Sequence, residues 1–163
     1  MFAQPDLTAL PKPELYAELA RQIAGVTDGE PNAVANMANA AALIFHALPD
    51  LSWAGFYLVD PADGGLVLGP FQGKVACVRI PIGRGVCGTA AAERRTIVVP
   101  DVEAFPGHIA CDDASRSELV APLLARDGRL LGVLDLDSPT PGRFDDEDAA
   151  GMERIAGVLT AVL

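Results

Sequence analysis

The chain has 163 residues, half of them hydrophobic, and a formal net charge of −10. That length suits one domain with a self-sufficient core, with no need of a disulfide or metal staple. A surface so anionic repels phosphate backbones and acidic lipid, so neither nucleic acid nor membrane is an expected partner.

No apolar run approaches the roughly 20 residues that span a bilayer. The N-terminus, Met1-Phe2-Ala3-Gln4-Pro5-Asp6, lacks the basic-then-apolar order of a signal peptide. A cytoplasmic location is therefore expected, and there a cysteine cluster points to catalysis or metal binding rather than to structural disulfides.

Residues 1–11 are aperiodic and read as a flexible N-terminal arm, leaving 12–163 as a single domain. Over residues 13–24, Leu15, Leu19, Ala20 and Ile23 recur at helical spacing. Asp28-Gly29-Glu30-Pro31-Asn32 breaks that helix, and the alanine-rich stretch 33–48 predicts another. The period then changes. Residues 52–59 read as a strand, Pro61 to Gly65 as a turn, and 66–69 and 75–80 as strands separated by a loop. The run Gly83-Arg84-Gly85-Val86-Cys87-Gly88-Thr89 predicts a turn before a short helix at 90–93, and it matches no dinucleotide-binding fingerprint. A strand at 96–99 precedes a loop over 100–118, long enough to suggest function. Strands at 120–125 and 130–136 flank Arg126-Asp127-Gly128-Arg129, whose Asp-Gly predicts a type I′ hairpin. Phe144-Asp145 opens a closing helix, its acidic start matching the positive end of the helix dipole. Together these elements predict an α+β sandwich.

The chemistry-bearing residues fall in the central and C-terminal parts. The three cysteines are Cys77, Cys87 and Cys111. Cys111 sits in the long loop beside Asp112 and Asp113, whose carboxylates raise a thiol's pKa, so its activation must come from elsewhere. Asp135 and Asp137 alternate with Leu134 and Leu136, which puts both carboxylates on one face of a strand. That placement costs stability unless something pairs with them, and Glu118 is a candidate third member. Trp53 and Tyr57 are four apart on one strand and share a face, either as an aromatic wall or as plain core. His108 and Cys111 have a spacing that permits shared metal ligation, with Cys77 and Cys87 completing a Cys3His set, but no Cys-x-x-Cys pair supports it.

Taken in order, Trp53-Ala54-Gly55-Phe56-Tyr57-Leu58, Leu68-Gly69-Pro70-Phe71-Gln72-Gly73-Lys74, Gly85-Val86-Cys87-Gly88, Pro106-Gly107-His108-Ile109-Ala110-Cys111-Asp112, Ser117-Glu118 and Leu134-Asp135-Leu136-Asp137-Ser138 resemble the free methionine-(R)-sulfoxide reductases. The resemblance covers nearly the whole chain from Pro13 onward. It implies a GAF-like fold, a six-stranded antiparallel sheet flanked by helices, and a closed pocket under the loops. It also implies thiol-dependent reduction of free L-methionine (R)-S-oxide, with thioredoxin as reductant, no cofactor or metal, and a homodimer.

The resemblance assigns Cys111 as nucleophile and favours Cys77 over Cys87 for the first disulfide. Cys87 on its own is also readable as a small packing residue. Glu118, Asp135 and Asp137 are placed around the sulfoxide oxygen and the amine, with Glu118 and Asp137 in the acid role, and Trp53 and Tyr57 against the substrate. A sulfenic acid on Cys111 condensing with a neighbouring thiol fits three cysteines. The competing readings are a non-catalytic GAF sensor for a small molecule and a thiol redox sensor.

Overall fold

A computed structural model describes residues 7–109 and 113–163. It contains α1 (Lys12–Thr27), α2 (Ala33–Ala47), β1 (Trp53–Val59), β2 (Leu66–Gly73), β3 (Arg79–Ile80), α3 (Gly85–Glu93), β4 (Ile97–Val99), β5 (Ser117–Leu124), β6 (Leu130–Ser138) and α4 (Asp146–Thr160). Six strands form one sheet in the order β3-β2-β1-β6-β5-β4, with every pairing antiparallel.

The two-residue period of the strands sorts side chains onto two faces. Ala54 and Phe56 of β1, Leu119, Ala121 and Leu123 of β5, and Leu134 and Leu136 of β6 pack on α1, α2 and α4 in the main core. The opposite face carries Trp53, Tyr57, Val120 and Val133 against α3, β4 and the loops. The acids of the sequence motif belong to this second face.

A buried carboxylate anchors the helical layer. Asp148, fully buried at the start of α4, accepts from Tyr16 Oη at 2.8 Å and from Lys12 Nζ at 2.7 Å, and it faces Arg143 at 3.4 Å. Asp145 caps the helix through a reciprocal capping box with Asp148. Leu7, assigned to the arm from the sequence, is buried in the main core.

Several boundaries differ from the sequence reading, each for a local reason. The segment read as a loop after Gly69 continues as strand through Gly73, paired along β1. Residues 75–78, read as strand, form instead a strap, and β3 is only Arg79–Ile80. Strap carbonyls go to side chains of β1: Trp53 Nε1 donates to the Lys74 carbonyl at 3.1 Å and Tyr57 Oη to the Cys77 carbonyl at 3.0 Å.

Helix α3 starts at Gly85, so Cys87 lies in its first turn rather than before it. Gly88 is required there, because a Cβ would stand 2.3 Å from the Pro81 carbonyl oxygen. β5 begins at Ser117, which brings Glu118 onto the sheet. The hairpin is not type I′. Neither Arg126 nor Asp127 has positive φ, Gly128 does, and Gly128 N donates to the Ala125 carbonyl, the pattern of a type I turn followed by a left-handed glycine.

Candidate active site

Cross-strand register assembles the site. On adjacent strands Trp53 pairs with Asp137 and Asp137 with Glu118, so an aromatic and two carboxylates form one row. The next row on the same face runs Phe71, Gly55, Asp135 and Val120. The first turn of α3 covers these rows with Val86 and Cys87, while the strap and the loop after the 3₁₀ turn Val102–Ala104 close the rim. The resulting pocket encloses about 520 Å³, part of it open to solvent.

Trp53, Tyr57, Cys87, Glu118, Asp135 and Asp137, all singled out from the sequence, line this one pocket. Cys77 lies on the strap beside the lining residues Val75 and Ala76 and is disulfide-bonded, whereas Cys87 is a free, buried thiol. Cys111, with Ala110 and Asp112, falls outside the described residues. A Cys3His zinc set is not what the described residues assemble, since Cys77 is engaged as a disulfide. Lys74, Ile109 and Ser115 also line the pocket and had drawn no role from the sequence, because loop residues have no period to betray their direction.

The aromatic side is a stack: Trp53 lies 5.3 Å from Phe71 and 5.8 Å from Tyr57, ring centre to ring centre, at interplanar angles of 16° and 25°. The other side is acidic, with Glu118 and Asp135 buried and Asp137 half-buried. Burial, then the charge of Asp137, pushes the Glu118 carboxyl well above the usual carboxylate range. Asp135 is pushed the same way by burial and then by Asp137 and Glu118. Burial first, then Asp135 and Glu118, raises the Cys87 thiol, and burial with Asp135 raises the Tyr57 hydroxyl. Cys87 Sγ stands 3.9 Å from Glu118 Oε1, and His108 Nε2 stands 3.5 Å from Glu118 Oε2. Asp135 Oδ1 is buried with no hydrogen-bond partner among the described residues.

Carboxyls raised in this way by burial and like charge can donate a proton to an oxygen that becomes basic. They can also accept hydrogen bonds from an ammonium group. An aromatic wall opposite suits a small apolar group.

The GAF domain family matches residues 16–163. A free methionine-R-sulfoxide reductase of Escherichia coli is 51% identical over 152 residues, 93% of this chain and 90% of the relative. The chain belongs to the free methionine-(R)-sulfoxide reductases, a GAF-domain family. The Saccharomyces cerevisiae member is 45% identical, covering 92% of this chain and 86% of its own length. Among solved structures, the family member from Neisseria meningitidis, crystallised in complex with its substrate, superposes with a TM-score of 0.93 at 49% identity, over 99% of this chain and 95% of that one. The GAF fold expected from the sequence is thus the fold observed. No helix among the described residues is long and apolar enough to cross a membrane.

Proposed function

We propose that this chain reduces free L-methionine (R)-S-oxide to L-methionine by thiol chemistry. The observation that carries the reading is one pocket with an aromatic stack on one side and raised-pKa carboxylates on the other, in a chain of this family. The substrate's methyl group lies against Trp53, its ammonium group meets the carboxylates, and its oxygen faces a protonated acid.

Cys111 attacks the sulfoxide sulfur as thiolate while the acid cluster, through Glu118 and Asp137, protonates the oxygen. Oxygen leaves on Cys111 as a sulfenic acid, methionine departs, and two electrons have passed from the thiol to the substrate sulfur. The Cys77 thiol then attacks Cys111 Sγ, forming a disulfide and releasing water. Cys77 being disulfide-bonded while Cys87 is free supports Cys77 as first partner. A dithiol of the thioredoxin class reduces that disulfide by exchange, which suits a reducing cytoplasm. Assembly as a homodimer belongs to the same proposal, and light scattering on the eluted protein tests it.

An NADPH-coupled assay with thioredoxin, thioredoxin reductase and mixed-epimer methionine sulfoxide tests the function. Sustained NADPH oxidation is expected, with chromatography showing consumption of the R epimer of the free amino acid only. A capped, amidated substrate should not turn over, since it leaves buried polar partners unpaired. A single stoichiometric burst with no turnover would instead identify a redox sensor, and binding without any reduction a ligand sensor.

A further inference from the structure

Cys87, Glu118 and Asp135 each present a donor atom within 4.8 Å of the other two, and all three are buried. We infer that this triad is an inhibitory binding site for a thiophilic divalent cation of the zinc class, which occupies the ground of the sulfoxide oxygen and blocks the pocket.

Two features point there independently. The first is the donor set: one sulfur and two carboxylate oxygens, mutually within 4.8 Å, with His108 Nε2 near Glu118 Oε2 at 3.5 Å but outside that set. Three donors of S and O type with the fourth position left to water suit zinc and its analogues, whereas magnesium and calcium require six or more oxygens. The second is Asp135 Oδ1, a buried acceptor on a residue lining the pocket, with no donor to it among the described residues. Tetrahedral zinc holds its donors about 3.5 Å apart, so side-chain adjustments of roughly an ångström close the set.

Binding exchanges protons for metal. The Cys87 thiol proton, and any proton held by the carboxylates, leaves to solvent as the cation enters, so affinity must rise with pH. No redox step is involved. The cation site needs only these residues; that the cation competes with sulfoxide rests on the function proposed above.

The test is cobalt titration of the folded Cys77→Ser/Cys111→Ser protein, in which Cys87 is the sole thiol. A sulfur-to-cobalt charge-transfer band at one equivalent is expected, displaced by zinc and growing with pH. Adding Asp135→Asn or Glu118→Gln should weaken binding by about tenfold or more, with circular dichroism reporting that each variant is folded. Absence of the band, or a band indifferent to both carboxylate variants, overturns the proposal. Methionine sulfoxide added to the cobalt form separates the two readings: suppression of the band supports competition, whereas an unchanged band leaves the metal site standing and counts against this pocket as the sulfoxide site.

Discussion

The indole of Trp53 lies across Gly55: a Cβ at that glycine would come within 2.7 Å of Trp53 Cη2 and 2.3 Å of Phe71 Cβ. Gly55 sits two residues from Trp53 on the same strand face, beside Asp135 in the cross-strand row. The aromatic stack and the acid face are thus brought together over a residue with no side chain.

Gly55→Ala should therefore strain the pocket together with the β1–β2 pairing, since its Cβ would also stand 2.8 Å from Phe71 Cα. Overpacking of this kind costs about 1–3 kcal/mol, and the displaced indole would enter the substrate space. The expected outcome is a rise in KM for methionine sulfoxide of about tenfold or more, with a smaller change in kcat. Because Trp53 is the only tryptophan, its emission spectrum reports the displacement directly. Wild-type emission and an unchanged KM would show that the ring is not held by this contact.

The cysteines make a second prediction. Cys111→Ser should release no methionine even in one turnover. Cys77→Ser should keep that first turnover and lose steady-state activity with thioredoxin, its sulfenic acid persisting and open to trapping by a dimedone-type reagent. Cys87→Ser tests whether the buried thiol has any share in resolving. If Cys77→Ser cycles at the wild-type rate, Cys77 is not the resolving thiol.

Much of this arrangement was legible from residue order alone. Trp53 and Tyr57, and Asp135 and Asp137, share faces because strand period is two, and that inference needs no tertiary knowledge. What the period could not supply was the closure of the pocket. Residues 75–78 look like a strand by composition, yet the Cys77 carbonyl accepts from the Tyr57 side chain, and the carbonyl of Lys74 just before them accepts from the Trp53 side chain. Lys74, Ile109 and Ser115 enter the pocket through loop geometry that no local pattern encodes. The hairpin between β5 and β6 is as expected and only its turn type differs, for a subtler reason: Asp-Gly serves both a type I′ turn and a type I turn with a following left-handed glycine. The choice rests on the φ of Arg126 and Asp127.

Stability should depend on pH in a direction opposite to ordinary acid denaturation. Glu118 and Asp135 have folded-state pKa values raised above their unfolded values. Their contribution is fully present below the unfolded carboxylate range, about 4, and is lost as pH rises through the raised folded values. Asp145, lowered to about 2 by its hydrogen bond to Lys12, acts with the opposite sign and only below that range. Asp135→Asn should thus raise the melting temperature of the substrate-free protein at neutral pH, by ~2–4 °C for each kcal/mol recovered, and flatten its fall from weakly acidic to neutral pH. A lower melting temperature at pH 7 for this variant would mean that Asp135 is ionised and paired in the resting protein.

The same carboxylates set the last prediction. Glu118 pairs directly across the sheet with Asp137, and Asp135 lies two residues along on the same face. Burial and like charge raise Glu118 and Asp135 together, so any proton they keep belongs to the cluster rather than to one residue. If that proton goes to the sulfoxide oxygen, Asp137→Asn and Glu118→Gln should slow methionine formation by about 10²–10⁴, the usual worth of a general acid, with a smaller effect on substrate binding. The thiol-resolving step should be nearly unchanged, because the substrate oxygen has already left. Rapid-quench measurement of methionine on the reduced enzyme separates the two steps. Methionine formation at the wild-type rate in both variants at neutral pH would leave the carboxylates as an ammonium site alone, with the proton drawn from water or from Cys111 itself.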